Sequence, residues 1–232
     1  MNTMHIDTAP LTAPHDMDIV VRQAARALGR HGLTHAYGHC SVRLDDSHFL
    51  VCAARPPGLV KPGEAGTVVC LDGELPDGVL GEVRIHREIY RHRPDVGGVV
   101  RSMPRHAMSL SVLRRTPRVV HGMSSYFSPS VPLWDDPQLI RTDAQASALV
   151  RLLGTSAAVS MRGNGVVVAG SGLKEALVLT WYLEDAARIE LECLGAFAEV
   201  ATLSDDEALQ RATREGRIFE RMWDYLTHGD VE

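Results

Sequence analysis

Apolar positions along the chain recur first with a helical period and then with a strand period. Over residues 17–30, Val20, Val21, Ala24, Ala27 and Leu28 share one face with charged residues opposite, which predicts an amphipathic helix. Short β-branched runs at residues 40–44, 48–53 and 67–71 predict strands. They are separated by Asp45-Asp46-Ser47 and by the Pro/Gly-rich loop Arg55-Pro-Pro-Gly-Leu-Val-Lys-Pro-Gly63. A helical period returns over 82–92 and stops at Arg93-Pro94, and the apolar run 96–100 predicts a buried strand. Further along, 105–113 predicts a helix, 118–121 a strand, 124–136 an irregular aromatic loop and 144–153 a helix. Segments 157–161 and 166–169 flank Arg162-Gly-Asn-Gly165, whose Asn-Gly step predicts positive φ and a tight hairpin. Two helices, 172–202 and 205–226, finish the pattern. Alternating helices and strands predict an α/β fold, and the hairpins make its sheet at least partly antiparallel. Residues 1–16 read as a flexible N-terminal segment and 17–232 as a single domain.

Composition narrows the function classes. With 45% hydrophobic and 23% charged residues, the chain can bury a core. Its formal charge of −5 offers no footprint for nucleic acid or an anionic membrane. Residues 1–16 lack a basic segment followed by an apolar one, and no run reaches the roughly 18 apolar residues of a membrane span. A cytoplasmic location is expected. The four cysteines, Cys40, Cys52, Cys70 and Cys193, form no Cys-x-x-Cys pair and read as buried free thiols. Lys61 and Lys174 are the only lysines, and neither a Lys-Pro loop nor a helix start supplies the desolvation that covalent lysine catalysis needs.

Five blocks carry a resemblance. They are Tyr37-Gly-His-Cys-Ser-Val-Arg43, Glu82-Val-Arg-Ile-His86 with Ile89-Tyr-Arg-His-Arg-Pro-Asp-Val96, Val99-Val-Arg-Ser-Met-Pro104, Arg162-Gly-Asn-Gly-Val166, and Leu183-Glu184. In this order the chain resembles the class II aldolase and adducin head-domain family over about residues 17–200. The resemblance implies a three-layer α/β/α domain with a mixed, mostly antiparallel sheet. It also implies a homotetramer with clefts between neighbouring subunits, to which the aromatics Tyr126, Phe127, Trp134, Trp181 and Tyr182 would offer apolar surface, the alternative being that they lie in the core. Enzymes of the family hold a divalent metal, usually zinc, through a His-x-His-Pro strand end and a later His-Gly turn, and a preceding glutamate acts as acid and base.

This sequence departs from that pattern at all three metal ligands. Arg101-Ser-Met-Pro104 stands for His-x-His-Pro, and Asn164-Gly165 for the His-Gly turn. A guanidinium cannot ligate, a thioether is too soft for zinc and one amide oxygen is a weak donor, so no metal or other cofactor is expected. His39, His106 and His121 lie in surrounding blocks without ligand spacing, and His86 and His92 read as ordinary helix histidines. The positions that cradle a sugar phosphate in the family read Gly38-His39, Pro57-Gly58 and Leu80-Gly81, which removes hydroxyl and N–H donors and disfavours a phosphate ester. The Pro-Pro-Gly loop is more similar to the branch that decarboxylates aromatic or heteroaromatic acids.

Glu82 stands at the family's acid/base position, and Arg101 sets a fixed cation where the metal would lie. These two are the expected catalytic residues. His39, Arg55, Arg84, Asn164, His121 and Tyr126 are the expected substrate-binding residues. The resulting expectation is a lyase-like enzyme acting without metal on a small non-phosphorylated carboxylate or keto compound, by decarboxylation, retro-aldol cleavage or related proton transfer. The alternative is a non-catalytic, adducin-like binding or scaffold protein.

Overall fold

The computed structural model describes residues 12–196 and 199–232, so most of the predicted flexible segment lies outside the described residues. Helix α1 (His15–Arg30) begins two residues before the predicted start. Strands β1 (His39–Arg43), β2 (His48–Val51) and β3 (Thr67–Cys70) form an antiparallel meander. Helix α2 (Arg84–His92) and strand β4 (Gly98–Ser102) follow, then α3 (Arg105–Val112), β5 (Leu133–Trp134) and α4 (Asp143–Leu153). The hairpin β6 (Ala158–Met161) and β7 (Val166–Gly170) leads into the long α5 (Leu173–Gly195), and α6 (Asp205–Arg211) and α7 (Ile218–Thr227) end the chain.

All seven strands make one sheet in the order β3-β2-β1-β4-β7-β6-β5, antiparallel except for the β5–β6 pair. Helices α2 and α4 pack together on one face, while α5, with α1, α3 and α7 against it, covers the other. This is the expected three-layer α/β/α arrangement. Alternation along β1 sorts its side chains: Cys40 reaches the Val21 carbonyl of α1, whereas Ser41 meets His86 and Tyr90 of α2. β4 lies between β1 and β7 with all five residues buried, so its side chains form the centre of the molecule.

Several local expectations are corrected. Residues 118–121 form no strand, because their amides are taken by side chains: Arg118 N–H donates to Glu190, and those of Val120 and His121 to Ser124 Oγ. The predicted 205–226 helix is two helices, broken where Gly216 (φ 67°) and Arg217 (φ 54°) are consecutively left-handed. The helix predicted over 172–202 stops at Gly195. In the Arg162–Gly165 turn, positive φ falls on Gly163 and Gly165 rather than on Asn164. Cys40 and Cys52 are buried free thiols as expected, but Cys70 is exposed on the edge strand β3 and Cys193 is half-buried in the last turn of α5. Of the two placements open to the aromatics, Tyr126, Phe127 and Tyr182 take the one inside the chain. Tyr126 stacks on Tyr182 with centroids 5.8 Å apart and donates its hydroxyl to the Thr213 carbonyl at 2.5 Å, and Phe127 and Tyr182 are buried.

Two features of the fold make measurable predictions. A Cβ on Gly98 would lie 2.2 Å from the Leu173 backbone nitrogen, because the start of α5 rests directly on β4. Backbone cannot yield as a flexible side chain does, so Gly98→Ala is expected to cost about 3 kcal/mol, seen as a lower midpoint in urea unfolding. Residues 230–232 fold back on the arginines of α1. Glu232 accepts from Arg22 Nη2 at 2.7 Å and from Arg26 Nη2 at 2.9 Å. The hydrogen bond from Arg22, more than the neighbouring charges, holds the Glu232 carboxyl down at about 2. A depressed folded-state pKa gives stability that is complete above the ordinary carboxylate range and lost as pH falls through the folded value. Melting temperature should therefore drop between pH 5 and pH 2, and Glu232→Gln should lower it at pH 7 while weakening that drop.

Candidate active site

A cavity of about 720 Å³ opens beside the end of β4. Its polar wall is made by His39, Arg55, Glu82, Arg101, Arg141 and Asn164. Each comes from a different place in the sequence. His39 and Arg101 are register partners across the β1–β4 ladder, Asn164 sits in the β6–β7 turn, and Glu82 occupies the 3₁₀ turn Gly81–Val83 that leads into α2. The β6–β7 turn is held close to β4 by Gly165, where a Cβ would fall 2.1 Å from the Ser102 carbonyl oxygen and where φ is 84°.

Arg101 is the hub, although only 2% exposed. Its Nη2 donates to Asn164 Oδ1 at 2.9 Å and pairs with Glu82 Oε2 at 3.1 Å, while Nη1 donates to the Ser102 carbonyl at 3.1 Å. Burial pulls its pKa down and Glu82 pulls it back up, and a guanidinium stays charged at any working pH. Glu82 Oε1 accepts the Ile140 N–H at 3.2 Å, which ties the carboxylate to the segment ahead of α4. Arg101 Nε and Asn164 Nδ2 are buried N–H donors without a partner among the described residues. Buried donors of this kind are costly to leave unmet, which marks the cluster as strained.

Behind the wall runs a buried chain of hydrogen bonds. His39 Nδ1 lies 2.8 Å from His86 Nε2, His86 Nδ1 lies 2.6 Å from Ser41 Oγ, and Ser41 Oγ lies 2.9 Å from the Tyr90 hydroxyl. Burial, then the neighbouring His86 and Arg101, push the His39 pKa well down. Burial and Arg101 bring His86 to about 3, so both rings are neutral. Burial raises the Tyr90 pKa, which keeps its phenol protonated.

The structure brings together Glu82, Arg101, Asn164, His39 and Arg55, the last of which also pairs with Glu64 at 3.0 Å. It does not bring in Arg84, His121 or Tyr126. Arg84 points along the surface to Asp143 at 2.5 Å and to the Gly81 carbonyl, because it follows Glu82 on a helical turn and so faces a different way. His121 faces Asp185 of α5 at 3.5 Å, and Tyr126 lies in the aromatic cluster with Tyr182 and Phe219. The sequence reading missed His86, Ser41 and Tyr90 as a connected set, and Arg141 as a cavity-lining cation that makes no ion pair among the described residues.

The metal implied by the resemblance does not fit this donor set. Arg101 places a permanent cation at the position, the Asn164 oxygen already accepts from that cation, and His86 and the Nδ1 of His39 are engaged with each other. His106 is tied to Glu184 at 2.7 Å and His121 faces Asp185, so these histidines do not converge on His39. Among the described residues, no three His, Cys, Asp or Glu side chains group as a metal site.

Comparison with known proteins points the same way as the fold. A profile for the Class II Aldolase and Adducin N-terminal domain matches residues 20–191. The chain is 25% identical over 207 residues to a 3,4-dihydroxyphthalate decarboxylase of Terrabacter sp. (strain DBF63), covering 81% of this chain and 85% of that protein. It is 27% identical over 192 residues to the decarboxylase tropJ of Talaromyces stipitatus, covering 70% and 71% respectively. Among solved structures, the L-fuculose-1-phosphate aldolase of Thermus thermophilus superposes with a TM-score of 0.68 at 27% identity, covering 78% of this chain and 96% of that one. No helix among the described residues is long and apolar enough to cross a membrane.

Proposed function

The chain belongs to the class II aldolase and adducin N-terminal domain family, and from that premise we propose that it is a decarboxylating lyase acting without a metal. Its substrate would be a small, non-phosphorylated hydroxy- or keto-carboxylate. The observation that carries the proposal is the Arg101–Glu82–Asn164 cluster, a fixed cation joined to a carboxylate in the cavity wall. The decarboxylases among the relatives support the reaction type, and the missing phosphate cradle supports an unphosphorylated acid.

In the proposed reaction a substrate carboxylate lies ortho to a hydroxyl, or β to a carbonyl in its enol form. Glu82, as its carboxylate, accepts the hydroxyl proton, and the oxygen's negative charge develops against Arg101. The same proton then passes from Glu82 to the carbon that bears the carboxylate, forming a C–H bond and a ketone. The C–CO2 bond breaks, its electron pair returns to the oxygen, and carbon dioxide leaves. The oxyanion finally takes one proton from solvent. The balance is one substrate carboxylate and one proton consumed for one carbon dioxide and one C–H bond. Arg141 at the cavity rim would hold a second carboxylate on a dianionic acid. The family also leads us to propose a homotetramer.

The test is carbon dioxide release from 3,4-dihydroxyphthalate and related hydroxylated acids by protein whose metal content has been measured. Turnover is expected at less than stoichiometric zinc, manganese or iron, with rate and melting temperature unchanged after chelation. A tightly held equivalent of metal whose removal abolishes turnover would replace this mechanism with a metal-assisted one.

A further inference from the structure

We propose that His39 is a neutral hydrogen-bond donor to the substrate oxyanion, with its tautomer fixed from inside the fold by Tyr90, Ser41 and His86. The inference rests on the lyase reading above for its catalytic part and on proton counting for its structural part.

Four groups are joined in a line by three hydrogen bonds, at 2.9, 2.6 and 2.8 Å. When both rings are neutral, the four groups carry one proton each. Three protons fill the three bonds, and the fourth must emerge at one end of the line. At the Tyr90 end it would point into a fully packed interior, because Tyr90 is 2% exposed and its hydroxyl meets no acceptor other than Ser41 among the described residues. A buried donor without an acceptor is strongly disfavoured. At the other end His39 lines the cavity and its Nε2 carries no hydrogen bond among the described residues, so water or a ligand oxygen can accept there. The line therefore runs in one direction. Tyr90 donates to Ser41, Ser41 donates to His86 Nδ1, His86 Nε2–H donates to His39 Nδ1, and His39 presents Nε2–H to the cavity.

The arrangement is built from two periodicities. His39 and Ser41 are two apart on β1 and share its α2 face, and His86 and Tyr90 are four apart on α2 and share one helix face. The titratable and charged groups facing His39 are Arg101 on β4, Glu82 ahead of α2, His86 and Tyr90 on α2, Cys52 beyond β2 and Arg55 across the cavity. With Arg101 as its register partner, His39 completes a two-donor pocket for negative charge on oxygen. His39 would touch the substrate, whereas His86, Ser41 and Tyr90 are positioning residues.

The tautomers are read directly from ¹⁵N-histidine spectra of the purified protein, assigned with His39→Gln and His86→Asn. Both rings are expected as neutral Nε2–H tautomers from pH 5.5 to 8.5, and the His39 Nε2 resonance should shift on saturation with 3,4-dihydroxybenzoate. An Nδ1–H tautomer or an imidazolium at His39, or a resonance unmoved by that acid, overturns the proposal. With 3,4-dihydroxyphthalate as the assayed acid, His39→Leu should lower kcat about 10²-fold with KM little changed, and His39→Gln, which keeps an N–H, should recover most of the loss. Tyr90→Phe should make the Nδ1–H form of His39 visible and lower kcat about 10-fold, since the line loses its direction. An unchanged kcat in the His39→Leu variant, or an unchanged tautomer in the Tyr90→Phe variant, also overturns it. If no acid is consumed the lyase reading fails, yet the spectrum still decides the donor: a shifting Nε2–H upholds it and an Nδ1–H refutes it.

Discussion

Arg101→Met is expected to lower kcat/KM by about 10³-fold and to reduce unfolding free energy by about 3–5 kcal/mol. Methionine approximates the arginine stem, so packing in β4 is largely preserved and the losses trace to charge and hydrogen bonds. Removing the guanidinium leaves Glu82 without its cation and the Asn164 and Ser102 oxygens without their donor, all at a site that is 2% exposed at Arg101. Breaking one side of a buried pair is far more damaging than replacing both, because the remaining charge keeps its desolvation cost. The catalytic loss is separate: the fixed cation beside the developing oxyanion is gone. Urea titration measures the first effect, and calorimetric binding of 3,4-dihydroxybenzoate with steady-state kinetics measures the second. Arg101→Lys should fall between, since it restores the charge without the planar fork that reaches Asn164 and Glu82 together. Unchanged binding in the methionine variant would remove Arg101 from the site.

Glu82→Gln is expected to lower kcat by about 10²–10⁴-fold, with KM shifting only a few-fold, and to reduce unfolding free energy by about 3 kcal/mol because the buried Arg101 guanidinium loses its carboxylate. The amide has the same shape and retains an oxygen to accept the Ile140 N–H, so the turn before α2 should survive. What it lacks is the ability to take a proton and return it. A loss confined to KM would make Glu82 a binding group rather than the proton carrier.

The placement of these groups was legible to different depths. Helical and alternating apolar periods locate most elements, because burial on one face is a local property of each segment. The strand expected at 118–121 fails for a nonlocal reason: Glu190 and Ser124 take amides that a ladder would otherwise use. Glu82 and Arg101 became candidates through the family resemblance, with no spacing to link residues on separate elements. His86 read as an ordinary helix histidine since a lone histidine carries no sign of its neighbour. The one available signal was the pair of matched spacings, His39-x-Ser41 and His86-x-x-x-Tyr90, which becomes informative only once β1 and α2 are known to face each other. Arg84 illustrates the converse, since a cation two residues from Glu82 is carried away by the helical turn to Asp143.

The sequence alone determined that the chain is an α/β protein with antiparallel hairpins, while its resemblance to the family marked three replaced imidazole ligands and pointed to Glu82 and Arg101 as candidates. The fold class is a property of local period, which needs no partner to be read, and the candidates are a property of residue type at positions the resemblance aligns. Only the tertiary structure decided that the Arg101 guanidinium is shared between Glu82 and Asn164, that Arg84, His121 and Tyr126 stand apart, and that His39 ends a buried line from Tyr90. Each depends on which faces meet across the sheet, and a direction for that line exists only because packing closes one end and leaves the other open.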